Sequence, residues 1–160
     1  MGLFTGMNIS TSALTAQRLR LDLIANNIAN QNTTNTGQTT AGGNPIPYRR
    51  EVAVFSSRPP KGDFTTLYKG ARQRLSSEGV QVTKVIEDKA PFRLEYDPDS
   101  PDAAKVAEPG IPVGYVRYPN VNIVEEMIDM ISASRAYEAN VTALNASKAM
   151  AAKALEIGKG

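Results

Sequence analysis

Two long hydrophobic stripes at helical spacing, one at each end of the chain with all else between them, constrain this sequence more than any other feature. Over 7–30, Met7, Leu14, Leu21 and Ile28 fall seven residues apart, with Ile24 and Ala25 filling the same side. One face of a helix is therefore apolar at coiled-coil spacing. Over 123–157, Ile123, Met130, Tyr137, Leu144 and Ala151 repeat every seven, and Val124, Met127, Ile131, Val141 and Leu155 widen the seam. Two such stripes are most simply hidden against each other. The expected fold class is α+β: N- and C-terminal helices paired in a coiled-coil-like stalk, with a small β-rich domain inserted between them. The expected domains are 1–35 for the first stalk helix, 36–118 for the insert with its loops, and 119–160 for the last helix.

Length says that this stalk is not self-sufficient. At about 1.5 Å per residue the helices span roughly 36 Å and 50 Å, against a usual helix of about 11–12 residues. One partner helix leaves part of a wide stripe in water, and apolar area of that kind marks a protein contact. The expected assembly interface comprises Met7, Leu14, Leu21, Ile24 and Ile28 on the first helix. On the second it comprises Ile123, Val124, Met127, Met130, Ile131, Tyr137, Val141 and Leu144. The Ala-rich run LNASKAMAAKALE near the end suits close helix approach, and suits simple helix propensity equally well.

The middle reads as strands and loops. Asn, Thr and Gly accumulate over 31–45 and predict a loop. Within it Thr40 reads as an outward position. The β-branched runs 48–55 and 80–86 predict strands, FRLEY at 92–96 alternates as a half-buried strand does, and 114–118 is a fourth candidate. Breakers predict loops over 56–79 and 97–112. Asn122 is placed to cap the last helix with Glu125 three residues on. Glu125, Glu126 and Asp129 open it and Lys148, Lys153 and Lys159 come late, in the sense the helix dipole favours. Gly158 and Gly160 stop it.

What is missing narrows the chemistry. The chain has no Cys and no His, so a thiol nucleophile, a Cys or His zinc site and His-based acid–base catalysis are excluded. Carboxylates remain. A glycosidase needs two of them about 5–9.5 Å apart across a cleft, but Glu125 and Glu126 are adjacent on a helix and point to different sides. Asp97 and Asp99 sit in a Pro-rich loop with little to desolvate them. Asp97, Asp99 and Asp102 with Glu108 faintly resemble a calcium loop, yet Pro101 takes the fifth position and Asp102 stands where Gly is needed. No enzyme activity, metal or cofactor is expected. The sequons at Asn8, Asn32, Asn140 and Asn145 read as chance matches.

The net charge of +2 does not argue for nucleic acid or an anionic membrane. It hides a split: residues 49–74 carry seven Lys or Arg and two acids, whereas 87–108 carry seven acids and three bases. Solvated loop charge explains this, and so do opposite patches that meet between subunits. No stretch approaches the ~18 apolar residues of a membrane span. The start has no charged n-region, since the first basic residue is Arg18, so export would proceed without a cleaved signal.

Several segments then carry a family resemblance. LTAQRLRLDLIANNIANQNT near the start, PYRRE at 47–51, YDPDSPDA at 96–103 and GYVRYPNVNIVEEMIDMISASRAYEANVTALNASKAM at 114–150 resemble the bacterial flagellar basal-body rod proteins. The motif residues are Ala25, Asn26, Asn27, Ile28, Ala29 and Asn30; Tyr118, Pro119, Asn120, Val121 and Asn122; and Ser134, Arg135, Tyr137 and Asn140. The combination with so short an insert is most similar to the proximal-rod branch, ahead of distal-rod and hook relatives. The resemblance implies a structural subunit whose terminal helices pair and line a helical rod crossing the periplasm, for motility. It also implies type III export without a cleaved signal, and as partners copies of itself, other rod proteins and the basal-body ring adaptor. A non-flagellar coiled coil is the competing structural reading: it forms discrete dimers, where a rod subunit forms open arrays.

Overall fold

The computed structural model describes residues 3–58, 68 and 79–158. Two long terminal helices are in contact, with small antiparallel sheets between them, so the chain is α+β. In chain order the described elements are helix α1 (Leu3–Ala29), strands β1 (Glu51–Ser57), β2 (Val80–Glu87), β3 (Arg93–Tyr96) and β4 (Tyr115–Tyr118), and helix α2 (Ile123–Ile157). All six lie near where periodicity and β-branching placed them, but β1 runs to Ser57, two residues into the expected 56–79 loop, and Arg93–Tyr96 of β3 are all exposed rather than half-buried. Most of the expected 56–79 loop, namely 59–67 and 69–78, and the late Lys159 and Gly160 lie outside the described residues. No described helix is long and apolar enough to cross a membrane.

Local chemistry sets the element ends. The Asn122 side chain accepts the Val124 N–H at 3.1 Å, while its carbonyl takes the first helical bond from Glu126 N–H at 3.0 Å. These are the bonds of an N-cap. β1 pairs with β2, running from Asp88 N–H on Arg50 carbonyl at 2.8 Å to Arg58 N–H on Gly79 carbonyl at 2.9 Å. β3 pairs antiparallel with β4, Arg93 opposite Tyr118 and Tyr96 opposite Tyr115.

Contacts divide the chain into two compact units. One gathers residues 1–21, 53–85 and 131–160. Its buried residues among those described are small, Ser10 and Ala16 on α1 and Ala133 on α2, as close backbone approach requires. Ser12 anchors the start of β2: its hydroxyl accepts the Val80 N–H at 3.1 Å and donates to Ile9 carbonyl at 2.7 Å. Gly79 has φ +110, and a Cβ there would collide with that hydroxyl. Glycine alone fits. The Ala-rich end of α2 lies largely open to solvent, with Ala146, Ala149, Ala152 and Ala154 exposed.

The other unit gathers residues 22–52 and 86–130. Its buried set mixes Ile24, Ala103, Ala104, Ile111 and Val116 with Asn27, Asn44 and Glu126. Apolar burial of this kind contributes about 1.5–3 kcal/mol for a residue such as Val116. The polar members must be paired, because an unpaired buried polar group costs about 1–3 kcal/mol.

Candidate functional site

Two of those buried polar residues, Asn27 and Glu126, belong to one connected centre where the end of α1, the start of β1 and the first turns of α2 meet. The Glu126 side chain has no exposed area, and its Oε1 accepts the Arg50 Nε at 2.5 Å. Arg50 also faces Asp129 at 3.4 Å and Asp88 at 3.6 Å. Burial by itself would lower the Arg50 pKa; the hydrogen bond and charge of Glu126, then Asp88 and Asp129, raise it above its usual value. Asn27 completes the centre. Its amide nitrogen donates to Glu51 carbonyl at 3.0 Å and Glu126 Oε2 at 3.2 Å, and its oxygen accepts Glu51 N–H and the Tyr48 hydroxyl, both at 2.9 Å. Every donor and acceptor site of that amide is used. Burial, with the negative charges of Glu51, Glu126 and Glu87, pushes the Tyr48 hydroxyl up to about 12.

The asparagines of the predicted motifs have separate tasks. Asn26 donates to the Tyr48 hydroxyl at 3.3 Å. Asn30 bonds back to Asn26 and accepts from Thr33 Oγ1, closing the end of α1. Asn120 accepts the Arg50 backbone N–H at 2.9 Å and donates to Asp88 carbonyl at 3.1 Å. Pro119 is buried, while Tyr118 lies under the Arg93 guanidinium, 4.7 Å from its ring centroid. Further along α2, Asn140 bonds Ala136 carbonyl, and Arg135 pairs with Glu138 at 3.4 Å on the open face. Ser134 is half-buried; Ala25 and Ala29 are exposed.

A second network clamps the Gly/Thr-rich loop after α1, a tract without any recognisable motif. Asp102 accepts from Thr34 Oγ1 at 2.6 Å and Asn35 Nδ2 at 3.2 Å; Glu108 accepts from Thr40 Oγ1 at 2.5 Å and Gly42 N–H at 3.1 Å. Buried Asn44 donates to Val106 carbonyl and accepts Lys105 N–H. Glu108 is presented by the tight turn Glu108-Pro109-Gly110-Ile111, where Gly110 supplies φ +86. The Thr40 bond lowers the Glu108 pKa; partial burial opposes, and Asn44, Gly42 and Arg117 reinforce. Burial lowers the Arg117 pKa in turn. These carboxylates are thus committed to hydroxyls and amides, and among the described residues no three acidic groups gather as a metal site.

The expected assembly residues separate into two faces. On α1, Ile24 is buried and Met7, Leu14, Leu21 and Ile28 are half-buried. On α2, Met130, Val141 and Leu144 are half-buried alongside buried Glu126 and Ala133, and Tyr137 is 37% exposed. Val124, Met127 and Ile131 point outward at 65, 53 and 60% exposure, joined by Ile128 at 62%, and Ile123 flanks them at 41%. At 3.6 residues per turn the outward four span about 100° and lie opposite Glu126 and Ala133. Ile128 and the Arg50–Glu126–Asn27 centre escaped the sequence reading, which took Glu126 as a dipole-favoured helix opener. The one available signal was a second acid directly after Glu125, on the side of the helix that carries Met130. Part of the charge split closes within the chain, Arg49 meeting Glu87 at 3.9 Å and Arg50 meeting Asp88.

Comparison with known proteins agrees with this architecture. Residues 7–35 match the family model described as flagella basal body rod protein, and residues 113–157 match that described as flagellar basal body rod FlgEFG protein C-terminal. Over its full length the chain is 48% identical to the flagellar basal-body rod protein FlgC of Borreliella burgdorferi, covering 100% of both chains. It is 44% identical to FlgC of Bacillus subtilis and 39% identical to FlgC of Escherichia coli O6:H1, covering 99% of this chain and 100% of each relative. With full-length identity at this level to relatives from three bacteria, and both helical ends matching rod-family models, the chain belongs to the flagellar basal-body rod protein FlgC family.

Proposed function

We propose that this chain is a structural subunit of the flagellar proximal rod and that the outward face of α2 is where neighbouring subunits pack. Family membership gives its place as the basal-body rod, its role as non-enzymatic and its company as other rod proteins. One observation carries the packing part: Val124, Met127, Ile128 and Ile131 form a contiguous apolar strip facing solvent, on the side of α2 opposite the buried Glu126 and Ala133. A strip of this kind calls for cover by another chain. The buried centre at Arg50 serves the same end by holding the first turns of α2 in place, so that the strip is presented rigidly.

In this reading the chain is exported by the type III apparatus, joins copies of itself and other rod proteins in the axial tube of the drive shaft, and meets the ring adaptor at its base. The terminal segments 1–35 and 119–160 make the tube and 36–118 sits outside them. Basal bodies isolated from cells lacking the chain should have no rod, hook or filament, and the restored gene should bring all three back. Complete rods in its absence would refute the reading.

A further inference from the structure

Asn120 stands at a junction that the buried Arg50 centre does not account for. It lies on the short link between β4 and α2, two residues before the cap Asn122. Its side-chain oxygen accepts the Arg50 backbone N–H at 2.9 Å, and its amide nitrogen donates to the Asp88 carbonyl at 3.1 Å and reaches the Ala90 carbonyl at 3.4 Å. One short amide therefore holds three chain segments: the entry to β1, the bend that follows β2, and the approach to α2. The same two carbonyls are gripped a second time. Arg49 Nη1 donates to Asp88 carbonyl at 2.8 Å and to Ala90 carbonyl at 3.3 Å, while its guanidinium lies over the Phe92 ring, 4.2 Å from the centroid. The bend is also closed on itself, since the Asp88 carboxylate accepts the Ala90 N–H at 2.9 Å, as in an Asx-turn. Adjacent arginines thus act in two directions: Arg50 reaches the first turns of α2, and Arg49 fixes the bend to which Asn120 is anchored.

We propose that Asn120 is a positioning residue for assembly, setting the direction in which α2 leaves the β3–β4 sheet and so where its outward strip is presented. The inference rests on reading that strip as the packing face and adds the joint that aims it. Asparagine is the side chain this joint requires. Among short side chains it alone offers an acceptor and two N–H donors on one rigid plane. Asp keeps the acceptor but turns a carboxylate toward two carbonyl oxygens, and Ser has a single donor. Because all three bonds of Asn120 go to backbone, a change there tilts the start of the helix and displaces the strip as a whole. A site works only when it is held to within roughly 0.5 Å and 10–20° of its productive geometry, and in a rod the error recurs at every copy.

The native absence of cysteine lets two spin labels be placed cleanly. Lys105→Cys and Ile128→Cys are both at exposed positions, the first just after Ala104, which pairs along β4. Electron paramagnetic resonance on the labelled, purified subunit then reads the direction of α2 against β4. The native pair should give one narrow distance distribution. Asn120→Asp should broaden it at least twofold and Arg49→Gln should broaden it less. Val116→Ala, which hollows the buried side of β4, should lower the melting point and leave the distribution narrow. In unlabelled cells Asn120→Asp should cut the number of rods at least tenfold, and Val116→Ala should not. Should Asn120→Asp fail to fold, Arg49→Gln carries the same test in milder form. An unchanged distribution in the folded variants would overturn the proposal, as would rod numbers that follow melting point alone. Complete rods with Asn120→Asp, where Ile131→Asp builds none, would overturn it and leave the packing reading intact. Complete rods with both would overturn the packing reading and the proposal with it.

Discussion

The Arg50 guanidinium sits 2.5 Å from a Glu126 carboxylate that has no solvent exposure at all, and the two are not equivalent to remove. Deleting Arg50 strands a fully buried anion with only the Asn27 amide for company, which costs about 3–5 kcal/mol. Glu126→Gln leaves the cation with Asp88 and Asp129 close by and keeps an acceptor, so its cost should be smaller, about 1–3 kcal/mol. Urea denaturation of Arg50→Ala and Glu126→Gln should therefore rank them in that order. Equal losses, or a greater loss for Glu126→Gln, would show that the centre is not held chiefly by this pair.

The two adjacent asparagines of the first motif should behave differently. Asn27 is buried and makes four hydrogen bonds, whereas Asn26 is exposed. Asn27→Ala leaves the Glu51 peptide and the Tyr48 hydroxyl short of partners, for a loss of about 2–4 kcal/mol. Asn26→Ala should cost under about 1 kcal/mol. Thermal melts of the two variants would decide it, and similar melting points would contradict the role given to Asn27.

Much of this architecture was open to sequence reasoning because helices and strands announce themselves by period. Met7 to Ile28 and Ile123 to Ile157 are long enough to be unambiguous, and FRLEY alternates. The buried centre was hidden because pairing between residues 21 to 99 positions apart leaves no periodic trace. Glu126 looks like any acid in a first helical turn until Arg50 is brought against it. Thr40 shows the same limit: it reads as an outward loop position, yet its hydroxyl is bound to Glu108, so Asp there would set two carboxylates against each other. Gln38, exposed and joined only through its backbone, is the better neutral site.

Titration should reveal two pH windows. Glu108 has a lowered pKa in the folded chain, so its contribution is complete above the ordinary value of 4.5 and is lost as pH falls below it through the folded value. Amide exchange at Thr40 and Gly42 should quicken there, and Glu108→Gln should remove that pH dependence. Tyr48 is raised to about 12 from 10.0, so its contribution is whole below 10.0 and fades as pH rises toward 12. Phenolate absorbance should show one late-titrating tyrosine that Tyr48→Phe abolishes. A Tyr48 that titrates with the exposed tyrosines would refute its burial against Asn27.

The central claim is that α2 presents its outward strip for assembly rather than for its own stability. Ile131 is 60% exposed, so Ile131→Asp should shift the stability of the isolated subunit by no more than about 0.5 kcal/mol. In a rod it would bury an unpaired carboxylate at every copy, at several kcal/mol each. Half-buried Leu21 is the contrast, since Leu21→Asp should weaken the subunit as well as its assembly. The most direct measurement images basal bodies from cells carrying Ile131→Asp, with Gln38→Asp as control and the melting point of each purified subunit alongside. The expected result is a normally folded Ile131→Asp subunit with no rod, hook or filament, and complete, swimming cells for Gln38→Asp. Complete rods and normal swimming with Ile131→Asp would mean that this strip is not where subunits meet.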